Sequence, residues 1–282
     1  MTGIAPLESL LEADRGIALP LPPALSTIYG ALRFPLHAGR PHVVGNFVTT
    51  LDGVASLGDP RLLGGGPISG GNPHDRMVMG LLRSVADAVI VGAGTLRSVP
   101  RHLWNADYIY PPLSGAYREL RVALGKAVQP LNVIVTARGE IDPVLPVFSS
   151  GAVPVLIVTT REGVRRLRTL DLPSAVRIAE VEGEGAIGAG AILAAVGRAL
   201  PGSLYLVEGG PRLMGDFFGE KRLDELFLTI SPQVAGRDAS VERPGFVAGK
   251  LFAPEHPVWG SLAGVKRAES HLFLRYSFPS AD

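Results

Sequence analysis

The feature that most limits the fold is a succession of short apolar runs separated by stretches long enough for a helix. DAVIV (87 to 91), NVIVT (132 to 136), VPVLIVT (153 to 159), residues 175 to 181 and SLYLV (203 to 207) read as strands, and helices fill about 161 to 169, 186 to 199 and 211 to 219. Strands joined through helices need crossover connections, which give a largely parallel sheet covered on both faces. A strand from about His42 to Thr49 opens the set and empties into a turn at Asp52 and Gly53. The end differs: LDELFLTISP (223 to 232) and ESHLFLRYSF (269 to 278) are strands with no helix between them, so an antiparallel extension of the same sheet is expected. The class is α/β.

A glycine-rich loop, LLGGGPISGGN, leads to a well-marked helix start. Asn72 can cap it, Pro73 suits the first helical position and Asp75 stands three residues after the cap, with the helix ending near Arg83. Residues 1 to 40 read as an arm before a domain over 41 to 282. Leu7, Leu10 and Leu11 suggest a short amphipathic helix there, followed by a proline-rich stretch.

Composition narrows the partners. Lys plus Arg number 27 against 26 Asp plus Glu, with no long basic block, so small molecules are favoured over nucleic acid or a membrane surface. The absence of cysteine excludes disulfides and thiolate chemistry and fits a cytoplasmic protein. The histidines show no helical metal-pair spacing, and no metal is expected. No apolar segment has the length of a signal or a bilayer span.

Two strands end in glycine loops. In VEGGPRLM, Gly209 and Gly210 let backbone approach a ligand and Pro211 starts a helix; in VGAGTLR, Gly92 and Gly94 do the same and Thr95 adds a hydroxyl. Ligands of open α/β sheets sit beyond the carboxyl ends of strands, where helix N-termini favour phosphate. Two such loops on one sheet edge suit a pyrophosphate. Neither is a dinucleotide fingerprint of the G-x-G-x-x-G kind, because Arg97 stands at the sixth position.

Four stretches in order, VVGNFVTTLDG, DRMVMGLLRSVADAVIVGAGTLR, LNVIVTARGEIDP and LYLVEGGPRLMGDFFGEKRLDELFLTISPQVAGRD, resemble the reductase domain of the riboflavin-biosynthesis deaminase-reductases, which has a dihydrofolate reductase-like fold. The resemblance covers about residues 42 to 278. It implies a three-layer α/β/α domain, a mostly parallel sheet with antiparallel C-terminal strands, NADPH as hydride donor and a homodimer. It places Thr95 and the loop Gly209, Gly210, Pro211, Arg212 on the cofactor's phosphates and nicotinamide end. Arg138 and Arg161 follow strand ends where the adenosine 2′-phosphate is held in this fold. It also implies that Asn46, Asp52, Arg83 and Glu208 face the substrate pocket, and Leu103 joins the substrate-binding candidates. Asp52 and Glu208 are the candidate catalytic groups, since reducing a C=N bond requires a proton on nitrogen and a carboxyl of raised pKa can supply it. An Asp–Gly turn and a helix-end salt bridge are the structural alternatives for Asp52 and Arg83.

With no cysteine pair for a zinc deaminase domain, a stand-alone reductase is expected. The segment after GAGT carries Arg97, Arg101 and Asp107 in place of the riboflavin enzymes' acidic–proline motif and phosphate-gripping arginine. Three readings stay open: a pyrimidine reductase of the riboflavin type, a same-fold reductase of dihydrofolate or another C=N or C=O compound, and a nucleotide-binding protein without turnover.

Overall fold

The computed structural model describes residues 3 to 279 apart from 14, 36, 38, 60, 61, 63, 184 and 239, so Leu63 of the glycine-rich loop lies outside the described residues. In chain order the first elements are β1 (Glu8–Glu12), β2 (Ile17–Ala18), α1 (Pro23–Tyr29), β3 (Arg33–Phe34), β4 (His42–Thr49), α2 (Gly66–Ser69) and α3 (Pro73–Val85). The middle holds β5 (Ala88–Gly92), α4 (Ala93–Ser98), α5 (Ala106–Ile109), α6 (Ser114–Ala123), β6 (Leu131–Val135), α7 (Pro146–Ser149), β7 (Val155–Thr159) and α8 (Arg161–Leu167). The chain closes with β8 (Arg177–Glu180), α9 (Ala189–Ala199), β9 (Leu204–Val207), α10 (Pro211–Gly219), β10 (Glu225–Ile230), β11 (Ser261–Ala268) and β12 (His271–Ser277).

Ten strands form one sheet in the order β1-β11-β12-β10-β4-β9-β5-β6-β7-β8. From β10 to β8 every neighbouring pair is parallel, while β12, β11 and β1 add antiparallel strands at the other side. Helices cover both faces. Met77, Leu81 and Leu82 of α3 pack on one with Leu25, Ile28 and Leu32 of the N-terminal segment, and Ile192 of α9 with Met214 and Phe217 of α10 pack on the other. This is the three-layer dihydrofolate reductase-like arrangement.

The α3 start behaves as its sequence implies: Asn72 Oδ1 accepts from the amides of His74 (2.9 Å) and Asp75 (3.1 Å), so two donors at the helix start are satisfied. At the other end the Arg121 guanidinium closes the helix by donating to the carbonyls of Arg83, Ser84 and Ala86. Burial pulls that arginine down to about 10.

The helix expected from Leu7, Leu10 and Leu11 is a strand instead. A five-residue segment cannot sustain a helix alone, whereas the free edge of β11 offers backbone partners. β1 pairs with it antiparallel, and Arg267–Glu8 (2.5 Å) and Lys266–Glu12 (2.8 Å) ion pairs lock the strands. Leu7 is buried while Leu10 and Leu11 stay exposed, as an edge strand allows.

One detail of register makes the site. The central strand β9 is short: Val207 is level with Gly45 of β4 and Ile90 of β5, yet β4 runs on to Thr49 and β5 to Gly92. The result is a notch at the carboxyl ends of the strands, with Glu208 at its floor.

Candidate functional site

Glu208 leaves β9 with its amide donating to the Ile90 carbonyl (3.0 Å), which turns its side chain into the notch between α3 and β4. There three predicted residues converge. Arg83 Nε and Nη2 each lie 2.8 Å from Glu208 Oε2, and Asn46 Nδ2 donates to Glu208 Oε1 at 3.0 Å. The side chains of Arg83 and Glu208 are 2% and 5% exposed. Arg83 Nη1 also donates to the carbonyls of Leu103 and Asn105, both at 3.3 Å. Leu103 therefore contributes its backbone, not its side chain, to this constellation. The ion pair is a buried one, and its arginine is far more than a helix-end surface charge.

Sequence reading missed what holds that carbonyl pair in place. Asn132 on β6, fully buried, accepts from the Trp104 amide and donates to the Trp104 carbonyl, both at 3.1 Å, and so fixes the segment between Leu103 and Asn105. An asparagine inside the apolar run NVIVT was the available signal. Beside it His102 is pushed down to about 2 by burial, then by Arg83 and Arg76, so its imidazole is neutral.

Asp52 is placed elsewhere in character. Thr50 Oγ1 donates to its carboxylate at 2.5 Å, as do the amides of Ala235 (3.1 Å) and Gly236 (2.8 Å), and Arg237 Nη1 reaches its carbonyl at 2.8 Å. The Thr50 hydroxyl and then the Ala235 amide hold its pKa down to about 2. These contacts favour its ionised form and latch the loop after β10 to the turn after β4. A carboxyl depressed in the folded state stabilises above the ordinary aspartate range and loses that contribution as pH falls toward about 2. Asp52→Asn puts an amide where two backbone donors need an acceptor. We expect its melting temperature to lie about 1–3 °C below the parent's at neutral pH, with the gap closing in acid; identical melts at neutral pH rule out the latch.

The two glycine loops meet. A Cβ on Gly210 would lie 3.2 Å from Thr95 Oγ1, and one on Gly209 would lie 3.3 Å from the Gly92 amide and 2.3 Å from Leu213 Cδ2. Around Gly92 and Gly94 the same construction meets no atom within 4 Å, so the space beside that loop is open. Pro211 begins α10, and its carbonyl accepts from the Ala248 amide at 3.0 Å. Arg212 is exposed beside it.

Arg138 stands on the turn after β6, and Arg161 opens α8 at the turn after β7. These are clamped together: Thr159 Oγ1 donates to the Thr136 carbonyl (2.6 Å), Thr160 Oγ1 donates to that of Ala137 (2.7 Å), and a Cβ on Gly139 would lie 2.6 Å from the Gly163 carbonyl oxygen. Both arginines are exposed, with Arg138 Nε 3.5 Å from Glu140 Oε1.

Among the described residues one group has metal-compatible spacing, His37, His42 and Asp224, at the opposite end of β4. Arg40 donates to both Asp224 oxygens (2.8 and 2.9 Å), which makes this an ion-pair network. No helix among the described residues is long and apolar enough to cross a membrane.

Residues 41 to 255 match the RibD C-terminal domain. The chain belongs to the RibD C-terminal domain family. Solved structures agree on the fold. A pyrimidine reductase-like protein from Corynebacterium diphtheriae is 23% identical with a TM-score of 0.68, over 91% of this chain and 99% of that one. The diaminohydroxyphosphoribosylaminopyrimidine deaminase/5-amino-6-(5-phosphoribosylamino)uracil reductase of Thermotoga maritima is 21% identical with a TM-score of 0.60, over 85% of this chain; the match spans 57% of that longer protein. The riboflavin biosynthesis reductase of Saccharomyces cerevisiae is 14% identical with a TM-score of 0.57, over 85% of this chain and 90% of that one. A comparison with curated proteins finds no match.

Proposed function

We propose that this chain is an NADPH-dependent reductase of a pyrimidine ribosylamine of riboflavin biosynthesis: the sugar ring opens to an imine, hydride adds to the carbon of that C=N bond and a proton goes to its nitrogen. The observation that carries the reading is the Asn46–Glu208–Arg83 constellation at the floor of a notch whose rim is two adjoining glycine loops. Glu208 and Asn46 together present acceptor and donor groups to the edge of an aminopyrimidine. Arg83, tied to Glu208, fixes the carboxylate in one orientation.

The residues present fit the dinucleotide. Gly92 and Gly94 face open space, Thr95 stands against Gly210, and the N-terminus of α10 presents the amides of Gly209 and Gly210 and a favourable dipole to a diphosphate, with Arg212 alongside. Bound there, NADPH supplies the hydride. Strands about 4.8 Å apart set the loops after β6 and β7 one and two strands beyond β5, which gives Arg138 and Arg161 to the adenosine end. A homodimer, a cytoplasmic location and the division into an arm over 1 to 40 and a reductase domain over 41 to 282 belong to the same proposal.

Single-turnover oxidation of NADPH tests it, with the aminopyrimidine ribosyl phosphate and dihydrofolate offered separately. Faster reduction of the pyrimidine is expected; reduction of dihydrofolate alone would move the assignment to a pterin, and NADPH binding without turnover of either would leave a nucleotide-binding protein. NADPH should bind at least about tenfold more tightly than NADH, a difference of about 1.4 kcal/mol, because a guanidinium grips a phosphate in forked geometry. Arg138→Ala should shrink that ratio. Equal dissociation constants for the two cofactors in the parent would refute the 2′-phosphate site.

A further inference from the structure

Glu140, just past the turn after β6, draws arginines from three elements. Arg138 Nε lies 3.5 Å from Glu140 Oε1, and Arg166 Nη1 of α8 donates to the same oxygen at 3.1 Å. From α4, Arg97 Nη1 donates to the Glu140 carbonyl at 3.4 Å. The sequence sets Arg97 just after the GAGT loop, in the segment where a grip on the substrate is sought; the fold turns it toward the loop after β6 instead. The backbone beneath the cluster is held by the Thr159, Thr160 and Gly139 contacts described above, so only side chains are left to move. That of Glu140 is 41% exposed and has room to swing into solvent. Exposed ion pairs of this kind add little to stability. What the group does have is the chemistry of an anion site occupied by a side chain, because guanidinium groups grip carboxylate and phosphate alike.

We propose that Glu140 sets the choice between the two nicotinamide dinucleotides, standing in the unliganded protein where the adenosine 2′-phosphate binds. The inference rests on the cofactor reading above, which puts the adenosine end at the turns after β6 and β7. A 2′-phosphate brings more negative charge and three acceptor oxygens to Arg97, Arg138 and Arg166. It displaces the carboxylate, and its binding is weakened by the contacts Glu140 loses and by repulsion between the two anions. A ribose with a 2′-hydroxyl has no charge to offer the arginines and meets Glu140 as a hydrogen-bond acceptor. Glu140 thus works against the phosphate and for the hydroxyl, and holds the preference for NADPH below what the arginines alone would give. A carboxylate that merely oriented Arg138 and Arg166 for the phosphate would have the opposite sign.

Titration of the parent, Glu140→Gln and Arg166→Ala with NADPH and with NADH, followed by cofactor fluorescence without substrate, decides between these signs. Glu140→Gln is expected to bind NADPH more tightly and NADH no more tightly than the parent does. The ratio of the NADH to the NADPH dissociation constant should therefore rise about fivefold, the scale of one exposed ionic contact. Arg166→Ala should lower that ratio by a similar factor and leave NADH binding as it was. Both side chains are exposed, and parental melting temperatures check that the fold is untouched. If the parent prefers NADPH, a ratio in Glu140→Gln at or below the parent's, or one unmoved in Arg166→Ala, overturns the inference and leaves the 2′-phosphate site standing. Equal dissociation constants for the two cofactors in the parent and in Glu140→Gln alike remove the site and the inference together, as does a parent that binds neither.

Discussion

Arg83→Met is expected to destabilise the fold by about 3–5 kcal/mol and to abolish turnover. The cost comes from what stays behind. Glu208 would keep one neutral partner, Asn46, for a carboxylate that is 5% exposed, and the carbonyls of Leu103 and Asn105 would lose their donor. Leaving a buried charge without its counter-ion is far more costly than never having the pair. That asymmetry gives a control: Arg83→Met combined with Glu208→Leu replaces both charges by apolar groups and should recover most of the lost stability while turnover stays absent. Urea unfolding of the three variants measures the coupling. If Arg83→Met unfolds at the parental midpoint, the pair is not what holds the notch together. If the double variant reduces substrate, the constellation is structural and the chemistry lies elsewhere.

The parallel part of the sheet was legible because each strand is an apolar run with a helix after it, and burial on both faces enforces that pattern. The α3 start was legible because Asn72, Pro73 and Asp75 each answer a local need of helix geometry. β1 was misread because a strand at a sheet edge takes its identity from its partner: Leu7, Leu10 and Leu11 fit a helical stripe by spacing alone, and nothing local reveals that β11 is waiting. β11 itself, SLAGVKRA, carries a register irregularity between Leu262 and Gly264 and shows no clean alternation. In the site, Asn46, Arg83 and Glu208 were named, but their mutual contact depends on β9 stopping level with Gly45 and Ile90, which is a matter of register between distant strands. The ionised state of Asp52 was hidden for the same reason, since two of its donors are amides 183 and 184 residues away. Asp75 was seen as a helix-start residue and not as a buried side chain, because burial belongs to the assembled layers.

The glycine loops give the second large expectation, that Gly210→Val binds NADPH at least about a hundredfold more weakly. A Cβ at this position already stands 3.2 Å from Thr95 Oγ1, so the two methyl groups of valine must enter the space between the loops. Hydrogen bonds to a charged group contribute about 1.5–3 kcal/mol each, and displacing a diphosphate from one or two amides reaches a hundredfold. Such a variant also disturbs Thr95, so by itself it does not distinguish a ligand site from a tight turn. Gly92→Ala does. A methyl there meets no protein atom within 4 Å, and Gly92 has φ −82°, which alanine adopts without strain. Nothing in the protein's own packing asks for glycine at that position. If its bareness serves a bound diphosphate, Gly92→Ala keeps the parental melting temperature without cofactor and loses part of the stabilisation that NADPH confers, readable as a smaller thermal shift at equal cofactor concentration. If Gly92→Ala and Gly210→Val both bind NADPH with the parental dissociation constant, the cofactor does not lie across these loops. In every other outcome the pairing of a disruptive and a silent substitution on facing loops locates the site, because whichever of them changes affinity without changing stability touches the ligand.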